Sequence, residues 1–405
     1  MNVLFMSLSD YKSINVIGLY TNLLRQFVNN GDSVYVLSPV EKKNEVIHDY
    51  VIEENNSKIV KFQIGNIQKA NFFEKGISTL SIPFMYIKAI KKYLSDVKFD
   101  LILYPTPPIT FLRAVEYVKK RDKCFTYLLL KDIFPQNAVD IGVLSTTGIR
   151  GMVYRYFKKQ EKKLYRISDC IGCMSPANVD YLLKENPEIE KSRVEVCPNT
   201  TDPIDYGCEI NDTISLREKY GIPTDKMVFV YGGNLGKPQD IPFVVKCLET
   251  QKNNKKAFFL IIGSGTDYFF LQDYLSHNKL ENVKLMNRIP KEDYDKMIGC
   301  CDVGLIFLDH RFTIPNFPSR MLAYMQAKIP ILAVTDPVTD IGKVITEGEF
   351  GWWCISDNPG GFSHIVNQIV DGQLICDGNK GFEYLKEHYT SEIAYNIINK
   401  SVLKR

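Results

Sequence analysis

Short apolar segments alternate with longer amphipathic segments along most of this 405-residue chain, and this alternation restricts the fold more than any other feature. The apolar segments are rich in β-branched and aromatic residues and are bounded by turn residues, as strands are. The segments between them repeat their apolar side chains at helical spacing. Strands that alternate with helices form βαβ units, so the pattern predicts parallel sheets covered by helices.

The alternation occurs twice, on either side of a polar segment without periodicity, VCPNTTDPIDYGCEINDT. The predicted strands of the first half are VLFMSL, SVYVLS, KIVKFQI, DLILYP, CFTYLLL and CIGCMS. Those of the second half are MVFVYGG, AFFLIIGSG, NVKLMNR, CDVGLIFL, IPILAV and FGWWCI. We therefore predict an α/β chain of two doubly wound, Rossmann-like domains. The predicted boundaries are 1–198 for the first domain, 199–212 for a linker, 213–388 for the second domain, and 389–405 for a C-terminal helix that packs back on the first.

The composition favours a cytoplasmic protein. No segment approaches the ~20 consecutive apolar residues that span a bilayer, and the N-terminus has the pattern of a strand rather than a signal peptide. Ten cysteines are scattered without a disulfide framework, which is typical of reduced thiols, and the single pair Cys170 and Cys173 has no second pair to complete a zinc site.

Charge is distributed unevenly along the chain. Residues 1–198 contain 28 Lys and Arg against 21 Asp and Glu, whereas the remainder contains 22 against 26. A basic first half indicates an anionic partner, although ordinary variation in surface charge accounts for the same numbers. No nucleic-acid-binding module accompanies the basic residues, so we do not expect nucleic acid as the partner.

Three predicted strand ends in the second half contain residues suited to binding an anion. In YGGNLGKPQ, Gly233 precedes a helix and Lys237 lies nearby, and IIGSG repeats the arrangement more weakly at Gly263. In FPSRM, backbone N–H groups at a helix start and one guanidinium group can bind phosphate oxygens; the residues concerned are Ser319, Arg320 and Met321. Anion sites at neighbouring strand ends suggest a diphosphate, while simple glycine turns and a solvated Arg320 remain the alternatives.

The order of GGNLGKPQ, IIGSG, NVKLMNRIPKEDY, CDVGLIFL and FPSRMLAYMQAKIPIL resembles glycosyltransferases of family 4 with the GT-B fold. The chain is most similar to the bacterial enzymes that build O-antigen or capsular polysaccharide, and INVIGLYTNLLRQFVNNGDSVYVLSP and LLLKDIFPQNAVDIGVL are similar to segments of that subgroup. The resemblance implies two domains that face each other across a cleft. It implies that a nucleotide sugar binds to the second domain and a saccharide acceptor to the first.

The resemblance also implies donor-binding residues by position. These are Gly18, Gly233, Asn234, Lys237, Gln239, Gly263, Arg288, Ile289, Ser319, Arg320, Met321 and Gln326. Asn234 and Gln239 stand where many members have the Arg and Lys that neutralise the diphosphate, and Lys237 is positioned to compensate. Arg288 and Ile289 stand where the family packs against the nucleobase.

One departure from the family pattern concerns its pair of glutamates, which contact the sugar and the ribose. Pro315 and Ala323 occupy these positions here, so we expect other residues, with Gln326 and Tyr324 as candidates, on the ribose side. The loss of the first glutamate also weakens the inference from the family to a retaining reaction.

The first half is expected to bind the acceptor. Asp132 follows the apolar strand CFTYLLL, so its carboxylate can orient or activate an acceptor hydroxyl, although an Asp at such a place also commonly caps a local turn. Asp10, Thr106 and Lys131 are further acceptor-side candidates. Histidine is scarce in this half, where His48 is the one example, and this mildly favours a retaining reaction in which the leaving phosphate helps to deprotonate the acceptor.

Residues 148–168 form a basic amphipathic pattern, GIRGMVYRYFKKQEKKLYRIS. Such a helix can lie on anionic lipid headgroups, and the apolar segment that begins at residue 77 is a second candidate contact. Packing of both helices on the sheet is the alternative. The sequence thus predicts a peripheral membrane protein on the inner face of the cytoplasmic membrane, where a lipid-linked saccharide is available.

The leading hypothesis is transfer of a hexosyl or N-acetylhexosaminyl unit from a nucleotide diphosphate to a lipid-linked saccharide, without a metal or another cofactor. A sugar-nucleotide 2-epimerase shares the fold, but the scarcity of histidine and the absent glutamates argue against it. A non-catalytic homologue that scaffolds polysaccharide assembly is the third hypothesis.

Overall fold

The computed structural model describes residues 1–45, 47–67, 72–207 and 210–404. They form two compact units, Met1–Thr201 together with Ser391–Arg405, and Asp202–Thr390. Each unit is built on one predominantly parallel sheet that is flanked by helices. This confirms the predicted class, two Rossmann-like domains.

The first unit contains an eight-stranded sheet in the order β3-β4-β2-β1-β5-β6-β7-β8. Its strands are β1 (Asn2–Met6), β2 (Ser33–Glu41), β3 (Tyr50–Glu54), β4 (Ser57–Ile64), β5 (Leu101–Thr106), β6 (Phe125–Leu130), β7 (Cys170–Cys173) and β8 (Val194–Val196). Its helices are α1 (Leu19–Asn29), α2 (Phe72–Tyr93), α3 (Leu112–Asp122), α4 (Gln136–Asp140), α5 (Gly148–Ile167), α6 (Pro176–Glu185) and, from the end of the chain, α15 (Ser391–Leu403). The strand order reverses between β1 and β5.

Two strands of this sheet were not predicted, and one of them is antiparallel. β3 pairs antiparallel with β4, because only Asn55 and Asn56 separate the two strands and Asn55 adopts the left-handed conformation that tight hairpins require, with φ of 45°. The expectation of purely parallel pairing was therefore wrong at this edge. The other unpredicted strand, β8, has three residues, too few to show a periodicity.

The second unit contains a six-stranded sheet in the order β11-β10-β9-β12-β13-β14, in which every pairing is parallel. Its strands are β9 (Met227–Asn234), β10 (Ala257–Ser264), β11 (Val283–Met286), β12 (Val303–Phe307), β13 (Ile331–Thr335) and β14 (Gly351–Ile355). Its helices are α7 (Ile210–Lys219), α8 (Ile241–Thr250), α9 (Tyr268–Asn278), α10 (Lys291–Gly299), α11 (Arg320–Gln326), α12 (Ile341–Glu347), α13 (Pro359–Val370) and α14 (Gly378–His388). The strand order reverses between β9 and β12.

The units divide between Thr201 and Asp202, inside the segment predicted as a linker. The described part of that segment after Thr201 is held to the second unit, where the N–H of Tyr206 donates to the carbonyl of Gln326 at 2.9 Å. At the other end of the second unit, the chain returns to the first through α15. This helix packs on α1, with the rings of Phe27 and Tyr395 4.9 Å apart.

Among the described residues, no helix combines the length and the apolar character that are needed to cross a bilayer.

Candidate functional site

In the second unit, Gly233 lies where the strand order reverses, at the carboxyl end of β9. In open α/β sheets this is the place where ligands bind. Gly233 is exposed and has a φ of 132°, a backbone conformation that L side chains rarely adopt. Gly263 is its register partner on β10, and a Cβ on Gly263 would lie 2.0 Å from the carbonyl oxygen of Gly233. Gly263 therefore permits the close approach of the two strands and leaves the backbone of Gly233 open.

Arg320, the first residue of α11, brings its guanidinium group to this glycine. A Cβ on Gly233 would lie 3.3 Å from Nη2 of Arg320, and the guanidinium carbon lies 4.3 Å from the ring centroid of Tyr231. The Arg320 side chain is half-buried, and its Nη1 is buried with no hydrogen-bond partner among the described residues. In the part of the chain that the structure describes, no carboxylate lies within 4.0 Å of this group. A buried cation without a counter-ion is costly unless a ligand supplies the negative charge.

Asn234 and Gln239 lie together beside Gly233. Their side-chain amides hydrogen-bond to each other at 2.9 Å across the turn that follows β9. Lys237 lies between them in sequence, on a short 3-10 turn, and is exposed. The structure thus places Gly233, Asn234, Lys237 and Gln239 on one connection, and Arg320 against its first residue.

Other predicted donor residues are engaged in the protein itself. Met321 is fully buried, and its N–H donates to the carbonyl of Pro318 at 3.3 Å. Gln326 is buried and donates from Nε2 to the carbonyl of Asp202 at 2.9 Å. Because these groups already have protein partners, the prediction of donor contacts from the Met321 N–H and the Gln326 side chain is not supported by their positions.

Tyr324, the other candidate for the ribose side, is also engaged in the protein itself. Its side chain is fully buried, and its hydroxyl accepts from the N–H of Gly232 at 3.2 Å and lies 3.0 Å from the carbonyl oxygen of Leu305. It joins the ends of β9 and β12. Ser319 precedes α11 and is exposed, but its side chain makes no capping hydrogen bond.

Arg288 and Ile289 lie on the connection between β11 and α10. β11 is the edge strand of the sheet, two strands away from β9, where the strand order reverses. Arg288 is exposed, and Ile289 is half-buried. The structure therefore places them at the same edge of the sheet as Gly233, on the connection that leads into α10.

The sequence analysis missed two tyrosines at this site. Tyr231 precedes the two glycines of β9 and lies under the Arg320 guanidinium. Tyr294 of α10 packs so tightly on Gly232 that a Cβ there would lie 1.7 Å from the tyrosine hydroxyl. Tyr231 was detectable as the last aromatic residue before a glycine turn, whereas no sequence pattern indicated Tyr294.

One group of potential metal ligands, Asp240, Asp309 and His310, was found among the described residues, with ligand atoms within 4.8 Å of one another. Asp309 is fully buried, and Nε of Arg311 donates to its carboxylate at 2.9 Å. Because a guanidinium group already neutralises this carboxylate, the cluster is poorly suited to a divalent cation. The expectation of a metal-independent site stays a prediction.

In the first unit, Asp132 and Thr106 lie together. Asp132 follows β6 and Thr106 is the last residue of the neighbouring strand β5, and the hydroxyl of Thr106 donates to the backbone carbonyl of Asp132 at 3.3 Å. The half-buried carboxylate of Asp132 accepts a hydrogen bond from Nδ2 of Asn137 at 2.7 Å. Burial raises the pKa of this carboxyl to about 6, although the hydrogen bonds from Asn137 and the backbone of Ile133 oppose the shift. At neutral pH the group is therefore mostly ionised, with a pKa close to that of an effective proton acceptor.

Lys131, Asp10 and Gly18 lie apart from that pair. Nζ of Lys131 donates to the carbonyls of Cys197 and Pro198 at 3.2 and 3.0 Å, and burial lowers the pKa of this amine. Lys131 thus secures the end of β8, and its predicted role on the acceptor side stays a prediction.

The connection between β1 and α1 contains Asp10 and Gly18. Asp10 forms an ion pair with the buried Lys61, and the N–H of Gly18 donates to the side chain of Asn22 at 3.0 Å. These contacts order the connection. The predicted binding of the donor by Gly18 and of the acceptor by Asp10 stays a prediction.

The helix predicted over 148–168 forms as α5, but its apolar stripe divides into two parts. Leu164, near the C-terminal end, is fully buried, whereas Ile149, Met152 and Tyr156 are exposed by 78%, 57% and 45%. The first half of α2 is exposed in the same way at Ile77, Leu80 and Phe84. Both helices contact the short turn Ile109–Phe111, and we call these six side chains the apolar patch.

Basic residues continue along α5 beyond the apolar patch and line a groove; they are Arg155, Lys158, Lys159, Lys162, Lys163 and Arg166. Exposed apolar residues beside basic ones are typical of surfaces that bind anionic lipid.

Residues 212–383, most of the second unit, match the sequence model of the family described as Glycosyl transferases group 1. The probable glycosyltransferase WbjE of Pseudomonas aeruginosa is 24% identical over 337 residues, which cover 82% of this chain and 81% of that protein.

Solved structures of other proteins superpose on nearly the whole of this chain. Sucrose-phosphate synthase from Thermosynechococcus elongatus superposes with a TM-score of 0.75 at 14% identity, covering 99% of this chain and 98% of the other. HepE from Anabaena, in a complex with UDP, superposes with a TM-score of 0.70 at 13% identity, and both chains are covered completely. At these identities the likeness establishes the fold, which is GT-B.

Proposed function

We propose that this chain, which has the GT-B fold and matches the group 1 glycosyltransferase model over residues 212–383, transfers a sugar from a nucleotide diphosphate to a lipid-linked saccharide in surface polysaccharide synthesis. The second unit binds the donor, and the first binds the acceptor. The WbjE relative supports glycosyl transfer, the family 4 sequence pattern supports the polysaccharide role, and the UDP complex of HepE supports a nucleotide as ligand.

The single observation that carries this proposal is the unneutralised guanidinium group of Arg320 beside Gly233. Its position at the strand reversal, its buried Nη1 and the open backbone of Gly233 provide charge-assisted hydrogen-bond donors for an anion. Lys237 is an exposed cation on the same connection. In transfer, negative charge increases on the departing diphosphate, so these groups bind the transition state more tightly than the ground state.

On the acceptor side, we assign Asp132 the role of holding the attacking hydroxyl. One carboxylate oxygen accepts from Asn137, and the other accepts from the acceptor. As the bond from the anomeric carbon to the diphosphate breaks, the acceptor oxygen attacks, and its proton passes to the departing phosphate. We propose retention of the anomeric configuration, which NMR of the product tests directly. A metal ion has no part in this scheme.

We expect one nucleoside diphosphate to stabilise the purified protein in a thermal-shift series with UDP, GDP and ADP, each with and without EDTA. A ligand at one hundred times its Kd stabilises the folded state by about 2.7 kcal/mol, and EDTA is expected to change nothing.

The series also separates the three hypotheses. A scaffold shows no shift with any nucleotide. An epimerase and a transferase both show one, but only the epimerase converts the nucleotide sugar without an acceptor. Product analysis with the matching nucleotide sugar and a membrane extract distinguishes these two.

For the membrane contact, we propose that the apolar patch and the basic groove of α5 dock the first unit on anionic lipid at the inner face of the cytoplasmic membrane. We expect co-sedimentation with vesicles that contain phosphatidylglycerol and much weaker binding to phosphatidylcholine alone. Replacing Ile149 and Met152 together by aspartate is expected to weaken binding about tenfold, because two inserted apolar side chains are lost and two repelled charges are gained.

The matched control is Ile375→Asp, which places the same charge at an isoleucine of the second unit that is 88% exposed. It is expected to bind vesicles like the unaltered protein. Equal binding by the double variant, or binding without regard to lipid charge, contradicts the docking proposal and leaves the transfer proposal intact.

A further inference from the structure

We infer that Tyr231 is a positioning residue of the donor site, because one side chain sets both the plane of the Arg320 guanidinium and the shape of the Gly233 turn. The inference rests on the proposed function only for the identity of the anion.

The ring of Tyr231 supports the guanidinium group. Tyr231 is 2% exposed, and Phe307 packs near its ring with the centroids 6.0 Å apart. The guanidinium carbon of Arg320 lies over the ring, 4.3 Å from its centroid. A cation over an aromatic face is attracted by the ring electrons. The rigid ring therefore restricts a long side chain that has no ion-pair partner in the described part of the chain.

The hydroxyl of the same tyrosine holds the turn. It donates to the backbone carbonyl of Asn234 at 2.6 Å, and so spans Gly232 and Gly233. This bond fixes the carbonyl on the far side of Gly233, the residue with a φ of 132°. Since a Cβ on Gly233 would lie 3.3 Å from Nη2 of Arg320, the turn and the guanidinium group lie directly beside each other. Moving Tyr231 thus disturbs both anion-binding elements together.

The other side of the strand is fixed independently. Gly232 contacts Tyr294 and donates its N–H to Tyr324, and neither contact passes through Tyr231. Substitutions at Tyr231 therefore remove its two contacts without removing those of Gly232. This makes its ring and its hydroxyl separable by experiment.

The test uses the full-length protein with Tyr231→Phe, which keeps the ring and removes the hydroxyl, and Tyr231→Leu, which removes both. The matched control is Phe229→Leu: Phe229 is a fully buried aromatic residue two positions earlier on β9 and stacks on Phe259. Two readouts are taken on every variant. Calorimetry gives the Kd for UDP, and NMR of the arginine side-chain N–H groups gives the environment of Arg320, whose signal is identified by its loss in Arg320→Ala.

We expect Tyr231→Phe to raise the Kd about threefold and to move the Arg320 signal less than Tyr231→Leu does, because the ring is kept while the hydroxyl contact with the guanidinium group is lost. Tyr231→Leu is expected to raise the Kd about tenfold and to move the signal towards the shift of solvated arginines, because the ring current is lost. In a transfer assay the donor KM is expected to rise more than kcat falls. Phe229→Leu is expected to lower the melting temperature and to leave both readouts unchanged.

The inference is wrong if Tyr231→Leu lowers the melting temperature as Phe229→Leu does but leaves the UDP affinity and the Arg320 signal unchanged. It is also wrong if Phe229→Leu moves both readouts as far as Tyr231→Leu does. If the unaltered protein does not bind UDP, GDP or ADP while the Arg320 signal responds as expected, the positioning role stands and the proposed donor function fails.

Discussion

Replacing Arg320 by alanine is expected to abolish stabilisation by the nucleoside diphosphate and to lower kcat/KM about 100-fold, which corresponds to ~2.7 kcal/mol of lost transition-state binding. The unliganded variant is expected to melt within a few degrees of the unaltered protein. In the free protein Nη1 of the half-buried Arg320 is buried, and no carboxylate of the described residues lies within 4.0 Å of the guanidinium group, so removing the side chain also removes part of a desolvation cost. Thermal melts with and without nucleotide, followed by steady-state kinetics, measure both effects.

Two further variants sharpen this prediction. Arg320→Lys keeps the charge but loses the planar fork, so we expect it to recover only part of the affinity. Lys256→Ala removes a cation of the same unit whose partner is the exposed Asp371, and we expect no change in nucleotide binding. Full nucleotide stabilisation of Arg320→Ala would remove the main support for the donor site.

Replacing Asp132 by asparagine is expected to lower kcat about 100-fold at neutral pH, because the neutral amide lacks the negative charge with which the carboxylate holds the acceptor hydroxyl. In the unaltered protein, activity is expected to fall as the pH drops through about 6, where the carboxyl becomes protonated. Profiles of kcat/KM against pH for both proteins check the prediction. Asp140→Asn, which changes another carboxylate of the same segment, is the control and is expected to stay active.

Asp132→Asn is also expected to increase the stability of the folded protein at neutral pH. The folded-state pKa of Asp132, about 6, lies above the ordinary value of 3.8, so the folded protein holds this proton more tightly than the unfolded chain does. Asp132 therefore makes stability fall as the pH rises from about 4 to about 6, and Asp132→Asn is expected to be more stable at pH 7 by about 1–2 kcal/mol.

Burial also raises the pKa of Asp336 to about 6, so this residue likewise makes stability fall as the pH rises. The difference between the variant and the unaltered protein is therefore the quantity to measure, by denaturant unfolding at pH 4.5 and 7. A variant that loses stability at pH 7 would show that the carboxylate has a structural role.

Much of the candidate site was predictable from short segments. Gly233 and Arg320 were identified separately, one from a glycine turn after a strand and the other from a helix start. The parallel βαβ pattern then required both to lie at the carboxyl edge of one sheet. The exposed beginning of α5 was less predictable, because its apolar spacing is the same as in the buried half of the helix, and only the packing of Leu164 separates the two.

Two predicted ligand residues have protein partners far along the chain. Lys131 was predicted on the acceptor side and bonds to the carbonyl of Cys197, 66 residues away. Gln326 was taken for a ribose ligand but bonds to the carbonyl of Asp202, 124 residues away. Neither acceptor has a sequence signature, since every residue has a backbone carbonyl.

Features that depend on neighbouring residues were readable from the sequence alone: the alternation of strands and helices, the two-domain class, the glycine turns and the basic character of α5. Periodicity and turn chemistry are local properties, so they can be recognised without knowledge of the fold. Which charged groups remain available to a ligand became clear from the folded structure. Arg320 lies on Tyr231 with no carboxylate of the described residues within 4.0 Å, whereas Lys131 is bonded to protein carbonyls. A buried polar group must find its partner in space, and the fold sets the distance between the two.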